Sequence, residues 1–334
     1  MTTKWVRRIG VVTCGAEKLA DYFPTLAEPD LVPTEPPFTP DDQLLVAELR
    51  RRGHQVAPVV WGTDVAQLRH RFDQLIIRSP WDYMDRDEWR AGFLQWLEQL
   101  SASGLVVDNP VPLMLWLMNK RYLLDFAAVG VPIVATRWVE RGTTVDLAEQ
   151  VRCQGATIIK PAVSAGGVGL ELLSDMTAAE RFQAEFTRRC ERNSHLVQPL
   201  LAEIRTRGEW SLIFLGGQYS HAVHKMPGQG QIMVHAERGG SLRFAEPPLA
   251  VRQLGERVSS ALPAAYGRRP AAGGEQPLYL RIDVIEGPTG AALSECEGVE
   301  PELFFRARPG SAARCADFVE RSPPAPGQVS AGRP

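Results

Sequence analysis

Lysine is scarce in this chain. Of 37 basic residues, only five are lysine: Lys4, Lys18, Lys120, Lys160 and Lys225. An excess of arginine says little alone, because Arg, Ala, Gly and Pro accumulate together in GC-rich bacterial genomes. The few lysines are therefore the basic positions worth following. Net charge is also lacking, since 37 basic and 39 acidic residues leave −2. Nucleic-acid binders ordinarily carry a basic stripe and a high isoelectric point, so no nucleic-acid partner is expected. No stretch reaches the roughly eighteen consecutive apolar residues of a membrane-spanning helix, so no membrane partner is expected. The first residues, MTTKWVRRIGVVTC, show no long apolar core with a small-residue cleavage site, so no secretory signal is expected. The five cysteines are scattered, without a Cys-x-x-Cys pair. That argues for free thiols in a reducing cytoplasm and against structural zinc. A Ser/His/Asp or Cys/His nucleophile signature is missing too.

What is present fits two or three fused domains: 334 residues, 44% of them hydrophobic, enough for a sizeable core. Apolar runs at 9–14, 55–61, 74–78 and 105–108 alternate with helical spacing at 41–52, 64–72 and 88–101. Such alternation predicts an α/β unit with a parallel sheet, over residues 1–112. The proline-rich stretch 22–40 reads as a long surface loop, of the kind that is often functional. A second unit, 113–197, is expected to hold a helix at 113–129, helices at 145–153 and 178–190, a strand at 157–160 and a strand or linker at 196–200. A third, 198–321, is rich in strands, at 209–214, 219–224 and 232–237, with a helix at 250–262 and a hairpin of 279–286 with 291–297. The carboxyl-terminal half is thus α+β. The Pro/Gly/Ser-rich tail, 322–334, is expected to be disordered.

Two stretches carry chemistry. In TIIKPAVSAGGVG, residues 157–169, an apolar strand delivers Lys160 to a glycine-rich turn. Such turns expose backbone N–H groups that cradle phosphates, and a lysine adds a point charge. No Walker loop exists in the chain. A plain turn with a solvated lysine is the other reading. In the hairpin, a three-residue loop 288–290 pairs Gly287 with Ala291 and sets Asp283 opposite Glu295 and Arg281 opposite Glu297. All four side chains then share one face. Three carboxylates on one patch repel unless a cation joins them, and an oxygen-only set suits Mg²⁺. A two-residue turn would instead place Asp283 opposite Ser294 and split the cluster.

The order MNKRYLL (118–124), IIKPAVSAGGVG (158–169), VQPLL (197–201), GEWS (208–211), SHAVHK (220–225), RID (281–283) and ECEGVEP (295–301) resembles that of the ATP-grasp ligases. Together with IRSPWDY at 77–83, it is similar to the glutathione-synthetase-like or ribosomal-modification-like branch, which includes O-ureido-serine cyclo-ligase-type enzymes. Each motif is weak alone, whereas seven in order over roughly residues 5–320 are specific.

The resemblance implies an ATP-grasp fold, with two α+β lobes clasping the nucleotide behind an amino-terminal substrate domain. It implies ATP and one or two Mg²⁺ ions, with Mn²⁺ as a substitute. By that resemblance, Lys120 and Lys160 bind phosphates, and the Ser164–Gly169 loop, with Gly166 and Gly167, closes over them. Gln198 and the Leu200 backbone meet adenine, and Glu209 the ribose. Lys225 touches the phosphate chain, Arg281 steadies charge at the reacting carboxylate, and Asp283, Glu295 and Glu297 hold metal. The implied reaction joins a small-molecule carboxylate to an amine through an acylphosphate. Intramolecular cyclisation, or nucleotide binding with ligation lost, are the alternatives. Two departures stand out: Glu297 where many members have Asn, and Met233 where an Arg is usual, with His235 as a partial substitute.

From its own residues, Arg78 offers a bidentate grip for a carboxylate and Asp82 one for an ammonium. Trp81 and Tyr83 either line the same site or pack at a domain interface. His221 and His224 read as core or edge histidines. A homo-oligomer is compatible with all of this.

Overall fold

The structure is a computed structural model that describes residues 6–22, 38–234, 239–267 and 276–321. Most of the expected 22–40 loop, His235 and the tail 322–334 lie outside the described residues.

The first unit runs β1 (Arg8–Thr13), α1 (Ala16–Tyr22), α2 (Pro40–Arg51), β2 (Gln55–Val60), α3 (Val65–Arg71), β3 (Gln74–Ser79), α4 (Asp87–Ser103) and β4 (Val106–Asp108). Its strands are parallel, in the order β2-β1-β3-β4. β1 is apolar on both sides because both faces are covered. Ile9 and Val11 enter a core with α2, whereas Val12 joins Phe93, Trp96 and Leu97 of α4. Local chemistry sets the helix ends. Thr39 accepts from the Asp42 amide at 3.0 Å ahead of Pro40, and left-handed Gly104 closes α4.

The second unit runs α5 (Val111–Leu117), α6 (Tyr122–Ala128), β5 (Arg137–Val139), α7 (Leu147–Gln154), β6 (Thr157–Pro161), β7 (Glu171–Leu173), α8 (Met176–Arg192) and β8 (His195–Pro199). The strands form an antiparallel sheet, β5-β8-β6-β7. The single helix expected at 113–129 is in fact two, broken at 118–121. The Asn119 side chain accepts from the Arg121 amide at 3.0 Å, and the Lys120 amide leaves the helix to reach the Ala162 carbonyl at 2.8 Å. The apolar pattern hides this break, because Leu113, Leu117, Tyr122, Leu123 and Phe126 all enter one core.

The third unit runs α9 (Ile204–Arg207), β9 (Glu209–Leu215), β10 (Gln218–Met226), β11 (Ser241–Phe244), α10 (Leu249–Tyr266), β12 (Tyr279–Gly287), β13 (Gly290–Glu297) and α11 (Ser311–Arg321). Its five strands are antiparallel, in the order β11-β10-β9-β12-β13. The strand expected at 232–237 does not form over 232–234, and 235–238 lie outside the described residues. The edge strand is instead β11, exposed throughout, so no period-2 burial marked it.

The faces of this large sheet decide where the site falls. On β9, Trp210, Leu212 and Phe214 face α10 and α6, while Ile213 and Leu215 face β1, α2 and α11. The second face is apolar only at one end. At the other end its positions are Glu209 and Ser211 on β9, Lys225 on β10, Arg281 and Asp283 on β12, and Glu295 and Glu297 on β13.

Candidate active site

The acids converge by a route the sequence did not show. The hairpin turn is the two-residue one, pairing Gly287 with Gly290, with Gly290 at φ 116°. A bulge then falls between Asp283 and Val284, where Leu293 pairs with Val284, Glu295 with Asp283, and Ser294 is skipped. The extra residue in the bulge restores the register that the shorter turn removes. It also breaks the parity of the strand. Leu293 and Cys296, three apart, both enter the core, while Glu295 and Glu297 face the site. Carboxylate oxygens of Asp283, Glu295 and Glu297 lie within 4.8 Å of one another.

Cations ring this cluster. Arg281 donates to both oxygens of Asp283, its Nη2 at 3.0 Å from Oδ2, and also to Glu297. Ser211 donates to Asp283. Lys120, carried in the helix break, donates to the Ser164 carbonyl at 2.6 Å and sits 3.6 Å from Glu295. Lys225 lies 3.7 Å from Glu209. Lys160 is the penultimate residue of β6, half-buried and within electrostatic reach of Glu295.

This charge pattern divides the acids. Burial opposes ionisation of Asp283, but Arg281 and Lys225 more than offset it and hold its pKa below the ordinary range. Burial likewise opposes Glu295, and Lys120 and Lys160 bring it down. Glu297 goes the other way. Burial, with Asp283 and Glu295 adding to it against Arg281, pushes it up to about 8. Glu209 rises to about 7 through burial and Asp283, partly countered by Lys225. A buried oxygen-only set with two ionised acids and a third, Glu297, raised above neutrality fits a divalent cation that would take the place of its proton.

The glycine-rich loop takes left-handed backbone at Gly166 (φ 58°), Gly167 (φ 70°) and Gly169 (φ 75°), and Lys120 reaches it through Ser164. Gln198 is buried on β8 and donates to Thr136 at 2.8 Å. The Leu200 amide donates to the Ala156 carbonyl at 2.7 Å, so only its carbonyl is left to face a base. Met233 is half-buried in a segment without regular structure.

The amino-terminal residues behave differently from expectation. Arg78 is only 2% exposed; it pairs with Asp42 at 2.9 Å, donates to the Pro301 carbonyl at 3.0 Å and lies over the Tyr279 ring. It is a strut, not a grip for a substrate carboxylate. Asp82 is buried and accepts from Trp61 Nε1 at 2.6 Å through Oδ1. Trp81 donates to the Glu300 carbonyl at 2.9 Å and Tyr83 to the Glu300 carboxylate at 2.6 Å. Glu300 lies inside ECEGVEP yet drew no role from the sequence, because no spacing there pairs it with the site. His221 is buried with Nε2 against the Leu303 carbonyl at 2.9 Å, and His224 Nε2 meets the Arg207 carbonyl at 2.6 Å. Lys18 pairs with Asp85 at 3.0 Å.

Residues 23–109 match the family described as D-cycloserine synthetase DcsG, N-terminal domain. The cycloserine biosynthesis protein DcsG of Streptomyces lavendulae is 30% identical over 269 residues, 76% of this chain and 85% of that protein. The crystal structure of D-cycloserine synthetase DcsG superposes with a TM-score of 0.73 at 24% identity, covering 94% of this chain and 99% of the other. The D-alanine–D-alanine ligase of Bacillus anthracis complexed with ATP gives 0.61 at 11% identity, over 95% and 96%.

Proposed function

The chain belongs to the ATP-grasp ligases, in the family of the cycloserine biosynthesis protein DcsG, and from that premise we propose the reaction its site carries. It is an ATP-dependent ligase. The proposed substrate is a small amino-acid-like molecule. Its carboxylate oxygen attacks the γ-phosphate of ATP, giving an acylphosphate and ADP. An amine nitrogen then attacks the acyl carbon, phosphate leaves, the nitrogen loses a proton, and a C–N bond remains.

The observation that carries this reading is the meeting of Asp283, Glu295 and Glu297 within 4.8 Å, walled by Lys120, Lys225 and Arg281. The three acids would hold one or two Mg²⁺, or Mn²⁺ in its place. When bound, the metal would neutralise charge on phosphate oxygens. Lys120 and Lys160 approach from the second unit and Lys225 from the sheet, so the phosphates would be held from two sides. The glycine-rich loop would add backbone N–H donors. Arg281, fixed by Asp283 and Glu297, would face the charge growing at the acyl oxygen. Gln198, the Leu200 carbonyl and Glu209 would border the nucleoside.

Resemblance to a cycloserine biosynthesis protein favours the intramolecular version, in which carboxylate and nucleophile belong to one molecule. ADP release from MgATP in the presence of mixed amino acids tests the ligase reading. Lys160→Ala should lower that release by roughly 10²-fold, and Glu295→Ala should abolish Mg²⁺-dependent release. Turnover unchanged in both variants would reject the assignment. One substrate molecule consumed per ADP marks cyclisation; two different ones mark intermolecular joining.

A further inference from the structure

Past Glu297 the chain leaves the sheet, and the next four carbonyls are each taken by a side chain. Asn109 donates to Gly298 at 2.8 Å, Trp81 to Glu300 at 2.9 Å and Arg78 to Pro301 at 3.0 Å, and the single Tyr279 O–H is shared between Val299 at 2.9 Å and the Ile77 carbonyl. Backbone held this closely presents its side chains in fixed directions. The one charged side chain within 298–301 is Glu300. Its Oε1 accepts from Tyr83 at 2.6 Å, and the Tyr83 ring is pinned by stacking on Phe93 at 4.2 Å.

Beyond Tyr83 and its own backbone N–H, this carboxylate meets no donor among the described residues. No side chain donates to Oε2 among the described residues, and Glu300 has no ion-pair partner there. Its neighbours differ: Glu302 pairs with Arg306, and Asp42 with Arg78. Lys120 and Arg281 are within electrostatic reach of Glu300, but each is already engaged, on Ser164 and Glu295 and on Asp283 and Glu297. Nor does Glu300 belong to the group of acids that converge for a metal. A half-buried carboxylate without a cation is costly unless something supplies one. An ammonium offers compact charge and three N–H donors, and one free oxygen suffices to receive it.

We propose that Glu300 receives the protonated primary amine of the substrate, with Tyr83 as the positioning residue that aims its carboxylate. The proposal rests on the ligase reading and adds the feature the substrate must carry: an ammonium group on the same small molecule as the reacting carboxylate.

The test titrates three probes into the protein holding MgADP: D-cycloserine and serine, which carry the amine, and 3-hydroxypropanoate, which is serine without it. The wild-type protein should prefer the amine-bearing probes by about tenfold or more, the worth of one charged hydrogen bond. Glu300→Gln keeps an acceptor for Tyr83, so the fold should persist; it should erase the preference and leave MgADP affinity unchanged. Tyr83→Phe should reduce the preference in part, again without touching MgADP. A wild-type protein with no preference, or a Gln variant that keeps it, overturns the proposal. So does a parallel loss of MgADP binding, which would make Glu300 part of the metal and nucleotide site. ADP release with mixed amino acids separates the two levels. Release without amine preference leaves the ligase standing and removes Glu300. Preference without release does the reverse.

Discussion

At the scale of single residues, the site is a balance between burial and paired charge. Glu297 shows the consequence most directly. Its pKa in the folded chain, about 8, lies above the ordinary 4.5, so between those values the folded state binds a proton that the unfolded chain has lost. Stability of the metal-free protein should therefore fall as pH rises through that window. A cation entering the cluster must displace this proton. Apparent Mg²⁺ affinity should accordingly climb with pH until about 8 and then level. Calorimetry in two buffers of different ionisation enthalpy would show the released proton, and Glu297→Gln should remove it. Equal heats in both buffers would contradict the assignment. The scarce lysines pointed here correctly as residue types: Lys120, Lys160 and Lys225 all border the acids. Arg78 misled, because a charged side chain after a strand end looks the same in sequence whether it greets a ligand or a buried partner. Asp42, Arg78's partner, lies 36 residues earlier, beyond any local pattern.

At the scale of elements, strands buried on both faces were legible as apolar runs, and breaks within a continuous apolar pattern were not. The helix interruption at 118–121 is the clearest case. Nothing in MNKR breaks the spacing, yet the turn it makes is what carries Lys120 to Ser164. The hairpin was half legible: the pairing of Asp283 with Glu295 was reached through a three-residue loop that the structure replaces with a two-residue turn, and the bulge at Ser294 that restores it needs knowledge of where Leu293 packs. The connection after β4 depends on a residue no motif marks. Asn109 is fully buried, donates to the Tyr279 and Gly298 carbonyls and accepts from the Tyr279 amide. Asn109→Ala would strand buried backbone groups, at about 2–4 kcal/mol. Thermal or urea unfolding would measure this, and a loss under about 1 kcal/mol would mean the groups find other partners.

At the scale of the whole molecule, the three units do not share their cores equally. Ile9 and Val11 of the first sheet pack with Ile213, Leu215 and Val223 of the large sheet, so those two units form one body. Ligand held between units should tie the remaining one to it. At a hundredfold excess over its Kd, MgATP should stabilise the fold by about 2.7 kcal/mol, seen as a rise in Tm that Lys160→Ala diminishes. An equal rise in the variant would argue against phosphate contact there. The unit around β5–β8 stands apart. Its core, Val139, Leu147, Val151, Ile159, Leu173, Ala179, Phe186, Cys190 and Val197, comes entirely from residues 139–197. From this stretch only Ala162 and Leu196 reach the main core, with Trp138 just before it. A joint that thin can swing without disturbing either interior. A turn of this lobe would carry Lys160 and the glycine-rich loop with it, whereas the acids belong to the large sheet, whose core is shared with the first unit.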